Sequence, residues 1–196
     1  DQVDAAYCDS MLCDEAGRPT GRRMSATLGS REGRAPIDLV FQNTVSGHSL
    51  VFRRHLLDTA LPVPTGVYYD HWLAICAMAR AGLAHEPTPL VNFRRHDGAQ
   101  TCAGRAGRPP EGRRWFETTL ACLDGVARVS PAAAADARCM ASAIASFRAG
   151  GGALAAARAL WPHRRALPRK SGLPALDLLR FTHRLYRMRR RERAGR

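Results

Sequence analysis

The stretch Tyr69-Asp70-His71-Trp72-Leu73-Ala74-Ile75-Cys76-Ala77-Met78-Ala79-Arg80-Ala81-Gly82 decides the fold class. Trp72, Leu73, Cys76, Ala77 and Ala79 recur at three- and four-residue steps, which predicts a helix from Asp70 with Gly82 as its C-cap. Asp70 falls in the first turn, where a carboxylate meets unpaired amides and the positive end of the helix dipole. Short strand candidates lie on both sides: Ala5 to Cys8, Ser49 to Phe52 and Leu90 to Phe93, apolar runs with β-branched or aromatic members. Between them, Ile37 to Phe41 and Arg54 to Asp58 read as short helices, the second closed by Leu61-Pro62-Val63-Pro64, and Gly17 to Pro36 reads as loop. Strands alternating with helices define an α/β protein.

Three clusters carry the chemistry: Asn43-Thr44-Val45-Ser46-Gly47, Tyr69-Asp70-His71-Trp72 and Phe93-Arg94-Arg95-His96. Their order and spacing, with Leu50-Val51-Phe52-Arg53-Arg54 after the first cluster and Leu73-Ala74 completing the second, resemble the acceptor-side half of an inverting family 2 glycosyltransferase of the rhamnosyltransferase-like kind. Ala6-Tyr7-Cys8-Asp9 and the turn Asp14-Glu15-Ala16-Gly17 extend the resemblance, which covers roughly residues 5 to 102. It implies a partial GT-A (nucleotide-diphospho-sugar transferase) domain over 1-104, followed by an α-helical, arginine-rich extension over 105-196. The family's Asp-x-Asp, which would hold a divalent metal (Mg or Mn) against the donor diphosphate, is absent, as is a Gly-rich phosphate turn. The chain begins at Asp1. The expectation is therefore a C-terminal portion, inactive alone, of an enzyme that moves a sugar such as rhamnose from a nucleotide-sugar donor to a saccharide or lipid-linked acceptor of a cell-surface polysaccharide.

The resemblance assigns the catalytic base to Asp70, which would take the proton of an acceptor hydroxyl as that oxygen attacks the anomeric carbon. A purely structural helix-starting aspartate is the competing reading. The family's histidine before this aspartate is Tyr69 here, and His71 follows it. Arg94, Arg95 and His96 are expected at the donor diphosphate, with leaving-group contact favoured over metal ligation by His96. Gln100 would continue that loop. Asn43, Ser46 and Gly47 are expected at the acceptor sugar, against turn chemistry alone, with Gly47 allowing a positive φ or a close backbone approach. His71 and Trp72 join them, Trp72 either stacking on a sugar ring or packing in the core. Asp9 would orient a loop.

The 196 residues carry a formal net charge of +13, unevenly placed: residues 1 to 104 sum to −1 and residues 105 to 196 to +14. Arginine supplies 29 of the 30 basic residues, which points to a coding bias as well as to charge selection and weakens arguments from pI. Cys8, Cys13, Cys76, Cys102, Cys122 and Cys139 form no Cys-x-x-Cys pair, so neither a zinc site nor a disulfide framework is indicated. With no membrane-spanning apolar run, the expected place is cytoplasmic, peripheral at the inner face of the cell membrane.

After a Gly- and Pro-rich linker at Gly104 to Gly112, helices are predicted over Arg113 to Val129, Pro131 to Ala149 and Leu173 to Arg193. In the last, Leu178, Phe181, Leu185 and Met188 recur at helical steps among arginines, a pattern that fits either an anionic membrane surface or an ordinary docking helix. The alternative function is a basic, non-enzymatic module for nucleic acid or an anionic membrane. Nucleic acid is disfavoured, since few aromatics interleave with the arginines and no recognised motif is present.

Overall fold

A computed structural model describes residues 2–96, 111–164, 166–168 and 173–194. Gln100, Cys102 and most of the expected linker lie outside the described residues.

β1 (Ala5–Cys13) is the central strand of a four-stranded mixed sheet. The Asp14-Glu15-Ala16-Gly17 turn follows it, closed by Asp14 Oδ1 accepting the Arg18 amide at 2.9 Å, with Gly17 at φ 81°. The chain then returns as β2 (Pro19–Arg23), antiparallel to the far half of β1. A single helical turn, α1 (Ser25–Leu28), and a 3-10 turn at Pro36–Leu39 lead to the Asn43 cluster. A 3-10 turn at Gly47–Ser49 enters β3 (Leu50–Phe52), antiparallel to Ala5–Tyr7. After α2 (Leu57–Ala60) comes α3 (Tyr69–Arg80), and then β4 (Leu83–Arg94), parallel to all of β1. The register slips near Cys8 and Asp9, opposite Pro87 and Pro89, residues that cannot donate to a ladder.

Every residue of α3 from His71 to Met78 is buried, the behaviour of a helix with protein on all sides. The sheet lies on one side of it. On the other stand α4 (Glu111–Val129), α5 (Ala134–Ala149), α6 (Ala153–Leu160) and α7 (Pro174–Ala194). One hydrophobic cluster runs from Ala5 and Tyr7 through Trp72 and Ile75 to Phe181 and Met188, so the core is continuous across the boundary expected at residue 104. Phe41 meets Phe181 edge-on at 4.7 Å. At Gly112 the α4 backbone passes so close to α7 that a Cβ there would sit 2.0 Å from the Met188 carbonyl oxygen.

The apolar stripe of α7 faces inward. Leu178, Phe181, Leu185 and Met188 are all buried, which fits the docking alternative for this stripe. Docking is reinforced by Arg148, which pairs bidentately with the buried Glu192, Nη2 to Oε1 at 2.7 Å and Nε to Oε2 at 3.2 Å, and by Arg189, which donates to the carbonyls of Phe147 and Gly151. No helix among the described residues is long and apolar enough to cross a membrane.

Candidate functional site

β3 pairs with the first residues of β1 and β2 with the last, so the same edge is left without a strand at Asp9 and Ser10. Two turns fill the gap. The Met24 amide donates to the Ser10 carbonyl at 2.9 Å, and Asp9 accepts the Ser25 amide at 3.0 Å and the Ser25 hydroxyl at 2.5 Å. Burial pushes the Asp9 pKa up, but these bonds and that from the Ser10 amide outweigh it and hold the carboxyl below its ordinary value. Asp9 thereby ties the Met24–Ser25 turn to β1.

The second turn brings the first two clusters together on Asp70. Asn43 Nδ2 donates to Asp70 Oδ1 at 3.0 Å, the His71 amide donates to the same oxygen at 2.7 Å, and the Gly47 amide donates to Oδ2 at 3.0 Å. Asn43 Oδ1 in turn accepts the Val45 amide at 3.0 Å, an Asx turn that fixes the loop. Gly47 is required for a close approach and has no positive φ: a Cβ there would lie 2.0 Å from the Tyr69 hydroxyl. Ser46 accepts the Ser49 amide and hydroxyl through its carbonyl at 3.0 and 3.1 Å. Each carboxylate oxygen has two lone pairs, so Oδ1 is saturated and Oδ2 keeps one acceptor position on a half-buried side chain.

His48 links the third cluster to the other two and was missed by sequence reasoning, although it directly follows Gly47. Its ring stacks on Phe93 at 4.7 Å with a 3° tilt, and its Nε2 lies 3.0 Å from Ser10 Oγ. The ring stays exposed at one side, yet the desolvation from these contacts pushes its pKa down against the pull of the Asp70 charge. Arg94 and Arg95 are exposed at the end of β4, where the Arg95 amide closes the ladder on the Cys13 carbonyl at 3.1 Å. His96 is half-buried beside them.

His71 and Trp72 correct the expectation of sugar contact. His71 is 4% exposed; its Nε2 donates to the Leu39 carbonyl at 2.8 Å, and its Nδ1 lies 4.0 Å from Cys122 Sγ. Burial pushes its pKa down, leaving a neutral ring. Trp72 is 2% exposed and donates its indole N–H to the Ala60 carbonyl at 2.7 Å. For Trp72 the helical period is the signal that assigns it to the core, the alternative its spacing offered; His71, outside that period, carried no such signal.

Among the described residues no three His, Cys, Asp or Glu side chains come together to hold a metal ion. His96 therefore lacks protein co-ligands among the described residues. The arrangement offers a carboxylate with one free acceptor position, a partly exposed imidazole close by, and two open guanidinium groups at a strand end. The fold is of the mixed α/β class, with a small open sheet of four strands. No family model matches the chain, and neither does any curated protein or solved structure.

Proposed function

We propose that this chain is the acceptor-side part of an inverting glycosyltransferase of the GT-A kind, with Asp70 as the base. The observation that carries the reading is the convergence of Asn43 and Gly47 on the two oxygens of Asp70 across 27 and 23 residues of sequence. Oδ2 accepts the proton of the acceptor hydroxyl while that oxygen forms its bond to the anomeric carbon. The nucleoside diphosphate leaves from the opposite face, which inverts the centre, and Arg94 and Arg95 meet the charge growing on the diphosphate. Tyr69, 58% exposed and set against Gly47, offers an aromatic face for a sugar ring beside the carboxylate.

The test is amide NMR of this chain titrated with methyl glycosides and short oligosaccharides, rhamnosides included. Binding should shift the amides of residues 43–49 and 69–71, and Asp70→Asn should weaken it. A folded chain whose amides there respond to no saccharide would refute the reading.

A further inference from the structure

α7 turns four arginines, Arg180, Arg184, Arg187 and Arg191, into one groove of about 890 Å³ whose lining includes Phe181 and Met188. Steps of four, three and four residues place them on one helix face, where like charges repel. Two are compensated: Arg180 lies 3.9 Å from Asp177, and Arg191 pairs closely with Glu111. Arg184 and Arg187 form no ion pair with any described residue, and Glu111 acts on Arg184 only at longer range. The Arg184 guanidinium lies 5.2 Å from the centre of the Trp115 ring, a contact that holds it in place and removes water from it. That desolvation, with repulsion from Arg187, pushes its pKa down.

A second cleft of about 260 Å³ meets the groove at Gln42, Glu111 and Arg184, adds Arg114, and runs to Asn43. The arginines therefore open toward the residue whose amide holds Asp70. A planar guanidinium matches phosphate oxygens two at a time, and two or three of them around an apolar-sided groove suit a phosphate or diphosphate better than a single carboxylate.

We propose that Arg184, together with Arg187 of the groove and Arg114 of the adjoining cleft, binds a phosphate or diphosphate group where the two meet, and that the group belongs to the acceptor. The second half of this statement rests on the transferase reading; the anion site stands without it.

Calorimetry of this chain with inorganic pyrophosphate at low salt tests it. The Arg184→Gln/Arg187→Gln double variant should bind at least tenfold more weakly, while Arg138→Gln/Arg158→Gln, which removes the same charge from exposed positions outside the groove, should change affinity less than twofold. Arg184→Lys, which keeps the charge but loses the fork, should fall between them, with thermal midpoints confirming that each variant folds. A parallel arm uses phosphatidylcholine vesicles with and without phosphatidic acid: binding that needs phosphatidic acid and both groove arginines places the phosphate on a lipid, and pyrophosphate binding alone places it on a soluble molecule. Equal weakening by the two double variants, vesicle binding that survives loss of Arg184 and Arg187, or no binding in either arm would overturn the proposal. Saccharide-induced shifts at residues 43–49 without pyrophosphate binding would remove this inference and leave the transferase reading standing; the reverse result would do the opposite.

Discussion

The indole of Trp72 lies against the backbone of Gly125, so that a Cβ at Gly125 would sit 2.4 Å from the ring. This contact joins α3 to α4 and ties the sheet side of the molecule to the helical side. Gly125 costs the interior of α4 about 1 kcal/mol in intrinsic propensity relative to alanine, a cost that the closer packing offsets.

Gly125→Ala is therefore expected to destabilise the protein by about 1–3 kcal/mol, because overpacking exceeds the gain in helix propensity. Urea denaturation checks this. A stabilised Gly125→Ala variant would mean that the indole can move aside.

Asp70→Asn is isosteric, but it is not structurally neutral here. The carboxylate accepts three N–H bonds over its two oxygens, and the amide must set its NH₂ against the Gly47 amide or against Asn43 and His71. A loss of about 1–3 kcal/mol is expected, with the largest chemical-shift changes in residues 43–47. A variant of unchanged stability would show that these bonds contribute nothing net.

Acid should weaken the fold in two stages. His71 titrates near 6.5 when unfolded, and burial lowers its pKa in the native state, so the unfolded chain binds the proton first and stability falls as pH drops below about 6.5. His48, shifted the same way, adds to this stage. Burial acts to raise the pKa of Asp4, but His55 at 2.8 Å and Arg80 at 3.0 Å hold it below its ordinary 3.8, so its contribution persists to lower pH and is lost beneath 3.8. His71→Gln should shrink the first stage to the part that His48 contributes and leave the second. Chemical denaturation midpoints between pH 8 and pH 3 measure both.

Burial pushes the thiols of Cys76 and Cys122 up to about 12, and both are fully enclosed, whereas Cys139 is exposed. Iodoacetamide at neutral pH should label Cys139 in the native protein and reach Cys76 and Cys122 only in denaturant, as peptide mass spectrometry would show. Native labelling of Cys122 would contradict the packing of His71.

Much of the fold was legible from local pattern. The period of Trp72, Leu73, Cys76 and Ala77 marks α3, and similar periods mark α4, α5 and α7, because a helix that buries one face repeats its apolar residues within a few positions. β2 was not legible: all five of its residues are exposed, so no alternation records it, and it forms because the Asp14 turn delivers it to the edge of β1. α6, rich in alanine and preceded by three glycines, carries too little periodic contrast to separate it from its flanks. The expected strands at Ala5 to Cys8 and Leu90 to Phe93 are only parts of β1 and β4, since Asp9 and Ser10 on one and Pro87 and Pro89 on the other interrupt the apolar runs.

The sequence by itself determined which residues could carry chemistry and where the strongly periodic helices would lie, because residue type and short-range spacing are local quantities. Only the tertiary structure decided how they meet. It placed Asn43 and Gly47 on Asp70, seated His48 between Ser10 and Phe93, and sent Trp72, His71 and the apolar stripe of α7 into the core. These outcomes depend on segments distant in the chain, and no local pattern states which of two apolar faces a helix will find opposite it.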